Sequence, residues 1–278
     1  MKVSINGTRG SIPTTDPKSS RYGGNTSCVT VEEDGHMLIL DGGTGIQKVH
    51  PPLGISGRID ILLTHLHLDH IQGLGFFKPL FEPDIEVHLW APFTSTDTLH
   101  ARLSRYLSPP LFPVLLRDLP CELTLHEISN SQFSIGPFLV DSRYVIHTGP
   151  TVGYKVTGKN ASMAYIPDHE PALGQSGIIH DPKWISGFEL ADQVDLLLHD
   201  GNYTAEEYPK RKGWGHSSME DALEFSKLAN VKRLILTHHD PGRTDDRLDE
   251  LHTVLAKKFH HSLPFEFAKE GREISLGG

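Results

Sequence analysis

Cysteine is almost missing from this chain of 278 residues: Cys28 and Cys121, far apart, are the only two. No C-x-x-C or zinc-knuckle spacing forms, so a cysteine-based zinc module is excluded, and two distant thiols read as reduced core residues rather than a disulfide. Long hydrophobic runs are missing as well. No stretch approaches the roughly twenty apolar residues that a membrane helix needs. The opening Met1-Lys2-Val3-Ser4-Ile5-Asn6-Gly7 enters a strand-like pattern directly, without the apolar core of a signal peptide. These absences set two expectations, a cytoplasmic location and no membrane partner. Positive charge is not in excess either. The formal net charge of −9 argues against a broad nucleic-acid-binding face, which shows as clustered Lys and Arg. With 37% hydrophobic and 22% charged residues, the composition is that of a globular protein, and its length fits one domain over 1–278.

What the chain has in plenty is histidine, eighteen in all. Four metal-capable side chains crowd into His65-Leu66-His67-Leu68-Asp69-His70, just after the apolar run Ile59-Asp60-Ile61-Leu62-Leu63. That run reads as a buried strand. On an extended segment His65 and His67 share a face, with Leu66 and Leu68 turned to apolar packing on the other. Asp69 and His70 follow where the chain turns and approach the same point from another side. Neutral imidazole suits zinc and its neighbours, and carboxylate adds a hard oxygen.

Other strands deliver polar groups at their ends in the same way. One around Phe138 to Ile146 ends in His147-Thr148-Gly149-Pro150, and the hairpin Gly153–Val156 with Ala161–Pro167 ends in Asp168. His169 and Glu170 follow and are left without a role. Val194–Leu198 leads to His199-Asp200, and Val231–Thr237 leads to His238-His239, either of which fits a ligand position. His216 sits on a glycine-flanked loop before a helix expected over Met219–Leu228, with Ser217 and Glu220 as its capping box. A hairpin is expected around Asp34-Gly35 between Cys28–Glu32 and His36–Leu40. Helical spacing covers Thr96–Leu107 and Arg247–His260, and Ile71–Phe81 starts a helix that breaks at Pro79. A closing strand is expected over Phe265–Ile274. The stretch Asp41-Gly42-Gly43-Thr44-Gly45 is not followed by a P-loop lysine, so a phosphate cradle is disfavoured. Gly23-Gly24-Asn25-Thr26 reads equally as a plain turn or as a loop edging a site. Pro109–Pro120 reads as a core connection or as a lip over that site.

The H-x-H-x-D-H stretch, with the strand-end residues after it, resembles the metallo-β-lactamase fold superfamily of metal-dependent hydrolases, over nearly the whole chain. The resemblance implies an α/β architecture, an αββα sandwich of two mixed sheets flanked by helices. It implies two divalent metal ions, zinc favoured and manganese tolerated. His65, His67 and His147 would hold one, Asp69, His70 and His238 the other, and Asp168 would bridge. Asp41 would orient the site loops without touching metal. The Gly-His-Ser element at His216 is similar to that of the ribonuclease Z branch, where the histidine serves phosphodiester chemistry and an acidic residue, here Asp200, orients it. Metal lowers the pKa of bound water from 15.7 towards about 7, and Asp69 and His216 would move protons.

Two departures narrow the expected substrate. Ribonuclease Z carries a long exosite arm between its third and fourth motifs, whereas only about twenty residues separate His147 from Asp168 here. Phosphoribosyl cyclic phosphodiesterases often add a cysteine zinc site that this chain lacks. The chain is similar instead to compact relatives that open cyclic nucleotides or cyclic ribose phosphates, including the anti-Pycsar nucleases. A small nucleotide-like phosphodiester, above all a cyclic nucleotide, is therefore the expected substrate, and long structured RNA is not. A ribonuclease Z-like nuclease of RNA or single strands is the alternative. A hydrolase of another bond and a non-catalytic binding module rank behind both. Trp214 or Tyr203 could stack on a base and Arg21 or Lys212 could touch phosphate, although simple packing or a solvated charge is the commoner role for each. A homodimer is expected from the relatives.

Overall fold

In the computed structural model, residues 1–51, 57–175, 177–179, 181–259 and 263–277 are described. Strands β1 (Lys2–Gly7), β2 (Cys28–Glu33), β3 (His36–Leu40), β4 (Arg58–Leu62), β5 (Glu86–Pro92) and β6 (Glu122–Ile128) build one sheet. Strands β7 (Ser131–Ile135), β8 (Phe138–Tyr144), β9 (Val152–Thr157), β10 (Ser162–Ile166), β11 (Leu196–Asp200), β12 (Leu234–Thr237) and β13 (Phe265–Phe267) build the second. The last strand, β14 (Glu273–Ser275), returns to the first sheet beside β1. Each sheet therefore has seven strands. Both mix antiparallel hairpins with parallel pairs, such as β3 with β4 and β10 with β11.

Alternation along the strands explains the layers. Leu38 and Leu40 pack between the sheets with Leu62, Tyr154, Met163, Tyr165, Leu196 and Leu198. Their neighbours Ile39, Ile61 and Leu89 face outward, under α1 (Leu68–Ile71) and α2 (Leu99–Ser104). Ala164, Ile166, Leu197, Leu234 and Leu236 face the other way, under α3 (Phe188–Ala191), α4 (Met219–Leu228) and α5 (Asp245–Lys258). Parallel strands covered on both faces are expected to be apolar at successive positions, and β10, β11 and β12 are over most of their length, while β4 and β5 interrupt the run with buried Asp60 and His88. The result is the helix–sheet–sheet–helix sandwich expected from the resemblance.

Local chemistry fixes several boundaries. The β2–β3 hairpin turns at Asp34 and Gly35, with φ of +48° and +77°, the sign pattern of a two-residue type I′ turn. Both cysteines are buried free thiols. The cap of α4 differs from expectation by one residue. Ser218, not Ser217, accepts from the Asp221 backbone N–H, and its hydroxyl donates to Asp221, so Glu220 is not the partner. The helix expected over Thr96–Leu107 is shortened to α2, opened by the Thr98 cap. The one expected from Ile71 is replaced by α1, which ends at Ile71, and two 3₁₀ turns, the second with Pro79 in its first turn, where proline is tolerated. The last helix starts at Asp245, capped by Thr244, and ends at Lys258; His260 lies outside the described residues. The single strand expected over Phe265–Ile274 is two. The chain turns at Gly271, φ +78°, and crosses from the second sheet to the first.

Candidate metal centre

β4 ends at Leu62, the chain bends at Thr64, and His67 takes the N-cap position of α1 without a side-chain capping bond. The switch from strand to helix at that point corrects one expectation. Leu68, the first helical residue, is 55% exposed rather than packed inward, because its direction is set by the helix and not by the strand period. The same switch carries Asp69 and His70 into the interior, both buried.

Asp41 holds this segment in place. It sits in the left-handed region at φ +63°, at the end of β3. Its Oδ1 accepts from the Thr64 N–H at 2.7 Å, and its Oδ2 accepts from His70 Nδ1 at 2.8 Å. His70 Nδ1 is thereby committed, and Nε2 is left to face inward. The Thr64 hydroxyl lies 3.0 Å from both Asp41 oxygens and 3.0 Å from His65 Nδ1, which orients that ring too. Asp41 thus has the orienting position expected of it. On the other side, His147 Nδ1 donates to the Gly215 carbonyl at 2.6 Å, leaving its Nε2 inward.

Asp168, 2% exposed just beyond β10, lies at the meeting point. Its carboxylate oxygens stand 3.1 Å from His70 Nε2, 3.3 Å from His238 Nε2, 3.6 Å from His147 Nε2 and 3.8 Å from His65 Nε2. His65, His67 and His147 form one compact donor set, and Asp69, His70 and His238 form a second. All seven side chains named from the sequence are therefore brought together, with Asp168 between the two sets. The choice between His238 and His239 is made by the backbone. At φ +60°, His238 turns its Nε2 to within 3.1 Å of Asp69. His239 turns away, donates to the Ala268 carbonyl at 3.0 Å and packs on Tyr22 and Phe267.

The donor set fits divalent cations. His65 Nε2, His70 Nε2 and Asp168 Oδ1 are buried and make no hydrogen bond, although they converge on one point. Unpaired buried polar atoms are costly, so such a convergence calls for a ligand. Burial, helped by neighbouring histidines, holds His65, His67 and His147 below the ordinary histidine range, so their lone pairs are free. Burial also opposes charge on His70 and Asp168, yet the opposite charges around them win. Asp168, Asp69 and Asp41 push His70 up, while His238, His70 and His65 hold Asp168 well below the carboxylate range. Cations would take the place of that proton.

His216 stands beside this centre, its ring 4.8 Å from that of His238 and 5.1 Å from that of His147. Its Nδ1 donates to Asp200 Oδ2 at 2.8 Å, the pairing expected from the sequence. Burial works against its charge, but Asp200 outweighs burial and pushes its pKa up to about 9. Asp200 is itself braced, accepting from the backbone N–H groups of His169 and Asn202.

Residues that had no role in the sequence supply much of the frame. Glu170 is fully buried and accepts from Tyr208 Oη at 2.9 Å and from the N–H groups of Gly213 and Gly215, both at 2.7 Å. It ties the segment after Asp168 to the loop that carries His216. The one signal in the sequence was a carboxylate two residues past the strand-end Asp168, which is too common to act on. Ser11 N–H donates to Asp69 Oδ2 at 2.7 Å, and the Asn202 amide lies 3.2 Å from His238 Nδ1. The Gly23–Thr26 stretch braces the site loops from behind, with the Thr26 hydroxyl accepting from the Thr44 N–H. In Pro109–Pro120 both readings hold, since Phe112 and Leu116 are core while Leu111 is a 70% exposed lip. Leu111, Leu66, Ile71 and Tyr106, with Arg102 and Arg105, line a cavity of about 430 Å³ that opens onto His65 and His67. Arg21 is not placed for phosphate, since Asp245, Asp246 and Asp249 engage it. Tyr203 is buried, not open for stacking.

A family model described as "Beta-lactamase superfamily domain" matches residues 36–239. The chain belongs to that superfamily. It is an enzyme, a hydrolase of the metallo-β-lactamase fold with His and Asp groups able to bind metal. Among curated proteins it is 25% identical to the ribonuclease Z of Gemmatimonas aurantiaca, over 99% of this chain and 96% of that protein. Among solved structures, the metallo-β-lactamase fold protein YhfI from Bacillus subtilis superposes with a TM-score of 0.70 at 18% identity, covering 98% of each chain. The short form of human tRNase Z superposes with 0.69 at 22% identity, covering 99% of each. Among the described residues, no helix is long and apolar enough to cross a membrane.

Proposed function

We propose that this enzyme hydrolyses a small phosphodiester, a cyclic nucleotide above all, at a site for two divalent cations. The observation that carries the reading is the coincidence of a seven-residue donor set with the Asp200–His216 pair at its edge. Two bound cations would supply Lewis acidity toward the phosphoryl oxygens and a water that ionises near neutral pH. Zinc is favoured, because five of the seven donors are imidazoles.

The chain's own residues supply the rest. Asp69 accepts from Ser11 N–H, and His70 and His238 beside it overcome burial and keep it ionised, so its carboxylate is available to hold a cation and to accept a hydrogen bond from water. His216 has Nδ1 committed to Asp200, so Nε2 is the nitrogen that remains to meet the phosphoryl or departing oxygen. General-acid help of this kind is worth about 10²–10⁴-fold. Small size is supported by the short β9–β10 hairpin, the one element between His147 and Asp168, and by the net charge of −9. The likeness to ribonuclease Z proteins supports the second reading, cleavage of RNA or single strands. The free thiols agree with a reducing, cytoplasmic setting.

The test is a panel assay of the metal-loaded protein on cyclic nucleotides, short RNA and a generic phosphodiester. Hydrolysis confined to cyclic nucleotides is the expected result. Cleavage of RNA alone establishes the nuclease. Silence across the panel, with a lactam or carboxylic ester cleaved instead, refutes both.

A further inference from the structure

The loop before His216 has a feature that hydrolysis itself does not require. Trp214 is 58% exposed and lies between two glycines, Gly213 and Gly215, each with φ +88°. That backbone suits glycine, and at Gly215 a side chain is excluded twice, since a Cβ there would stand 2.4 Å from His147 Nδ1. The loop is not loose. Glu170 grips both glycine N–H groups, and Lys212 Nζ donates to the Gln175 carbonyl. The indole is therefore displayed by a clamped backbone. The Arg211 guanidinium lies 5.2 Å from the Trp214 ring and 5.4 Å from the Tyr203 ring, and Tyr203 meets His216 edge-on at 5.9 Å. Indole, guanidinium, phenol and imidazole thus form one continuous run of contacts from the surface to His216.

Position gives this run of contacts a use. Trp214 is two residues from His216, so their Cα atoms are at most about 7 Å apart. A nucleoside spans a gap of that order between its base and its phosphate. Lys210, Arg211 and Lys212 also put three successive cations beside it, in a chain that is otherwise acidic. We propose that Trp214, propped by Arg211, is the platform on which the base of the substrate stacks, so that the enzyme selects phosphodiesters that bear a nucleobase. This rests on the phosphodiesterase reading above and adds what recognises the part of the substrate that does not react.

The experiment compares wild type, Trp214→Ala and Trp214→Phe, all metal-loaded. Two cyclic phosphodiesters are assayed, an adenosine cyclic phosphate and the methyl riboside cyclic phosphate with the same ring. Calorimetry measures binding of adenosine 5′-monophosphate and ribose 5-phosphate. Stacking energies per base predict that Trp214→Ala lowers the ratio of kcat/KM for the adenosine diester over the base-free one by about 5- to 150-fold. The loss should fall mainly on KM, and Trp214→Phe should recover most of it. The affinity ratio of the two monophosphates should fall in parallel. Equal loss on both diesters, or an unchanged ratio, overturns the platform while leaving phosphodiester hydrolysis standing. A Trp214-dependent preference for adenosine monophosphate with neither diester cleaved upholds the platform and refutes the hydrolysis.

Discussion

Glu170→Gln is the sharpest test of how this site is held. The carboxylate accepts three hydrogen bonds, from Tyr208 Oη and Gly213 N–H on Oε1 and from Gly215 N–H on Oε2. The amide is nearly the same shape but turns one acceptor into a donor. Its best orientation keeps Oε1 for two partners and sets NH₂ against the Gly215 N–H. One charge-assisted hydrogen bond is then lost and a buried N–H is left unpaired, at a cost of about 1.5–3 kcal/mol. That energy is concentrated on the Gly215 peptide, whose carbonyl fixes His147 and whose neighbour is His216. The orientation of His147 and the position of His216 should both loosen. Turnover and metal affinity should each fall about 10–100-fold, as outer partners of metal sites do when changed. Turnover is read on the best substrate of the panel, and affinity by competition with a chelator of known strength. Far-UV circular dichroism should show the sandwich intact, since both sheets and their cores lie elsewhere. Wild-type turnover and wild-type affinity together would refute the claim that Glu170 positions the centre.

Three further predictions follow from single contacts. Asp41→Asn leaves the Thr64 N–H or His70 Nδ1 facing an amide donor, and metal affinity should drop about 10–100-fold in the same competition assay; an unchanged affinity contradicts the orienting role. His216→Ala should cut kcat about 10²–10⁴-fold while metal content, read by elemental analysis, stays at the wild-type value; loss of metal would make His216 a ligand instead. His239 bears on stability against pH. Burial, with Arg9 beside it, lowers its pKa to about 3, whereas unfolded histidine titrates near 6.5. Between those values the unfolded chain binds the extra proton. The contribution is therefore complete above about 6.5 and lost as pH falls towards 3, with a slope approaching about 1.4 kcal/mol per pH unit. In urea melts from pH 6.5 to 4.5, His239→Gln should lose stability less steeply than wild type, and parallel slopes would contradict the buried neutral imidazole.

The amino-acid sequence alone determined the layers and most of the donor set. Strands that are apolar at successive positions have to be covered on both faces, and Asp34-Gly35 allows one tight turn. His65, His67, Asp69 and His70 are close in sequence, so any fold keeps them close in space. The distant donors His147 and Asp168 were legible because each follows within a few residues of a strand end, β8 and β10, and strand ends of a sandwich gather at one rim. The tertiary structure alone decided what depends on direction. His238 rather than His239 faces the centre because one residue takes a left-handed φ, which no periodicity announces. Leu68 turned outward because the helix began there. Arg21 was engaged by three aspartates brought up from α5, more than 220 residues later. Glu170 acquired its role from a loop some forty residues away. Contacts of that kind depend on how loops meet across the sheet edge, and a local pattern of residue types holds no information about that meeting.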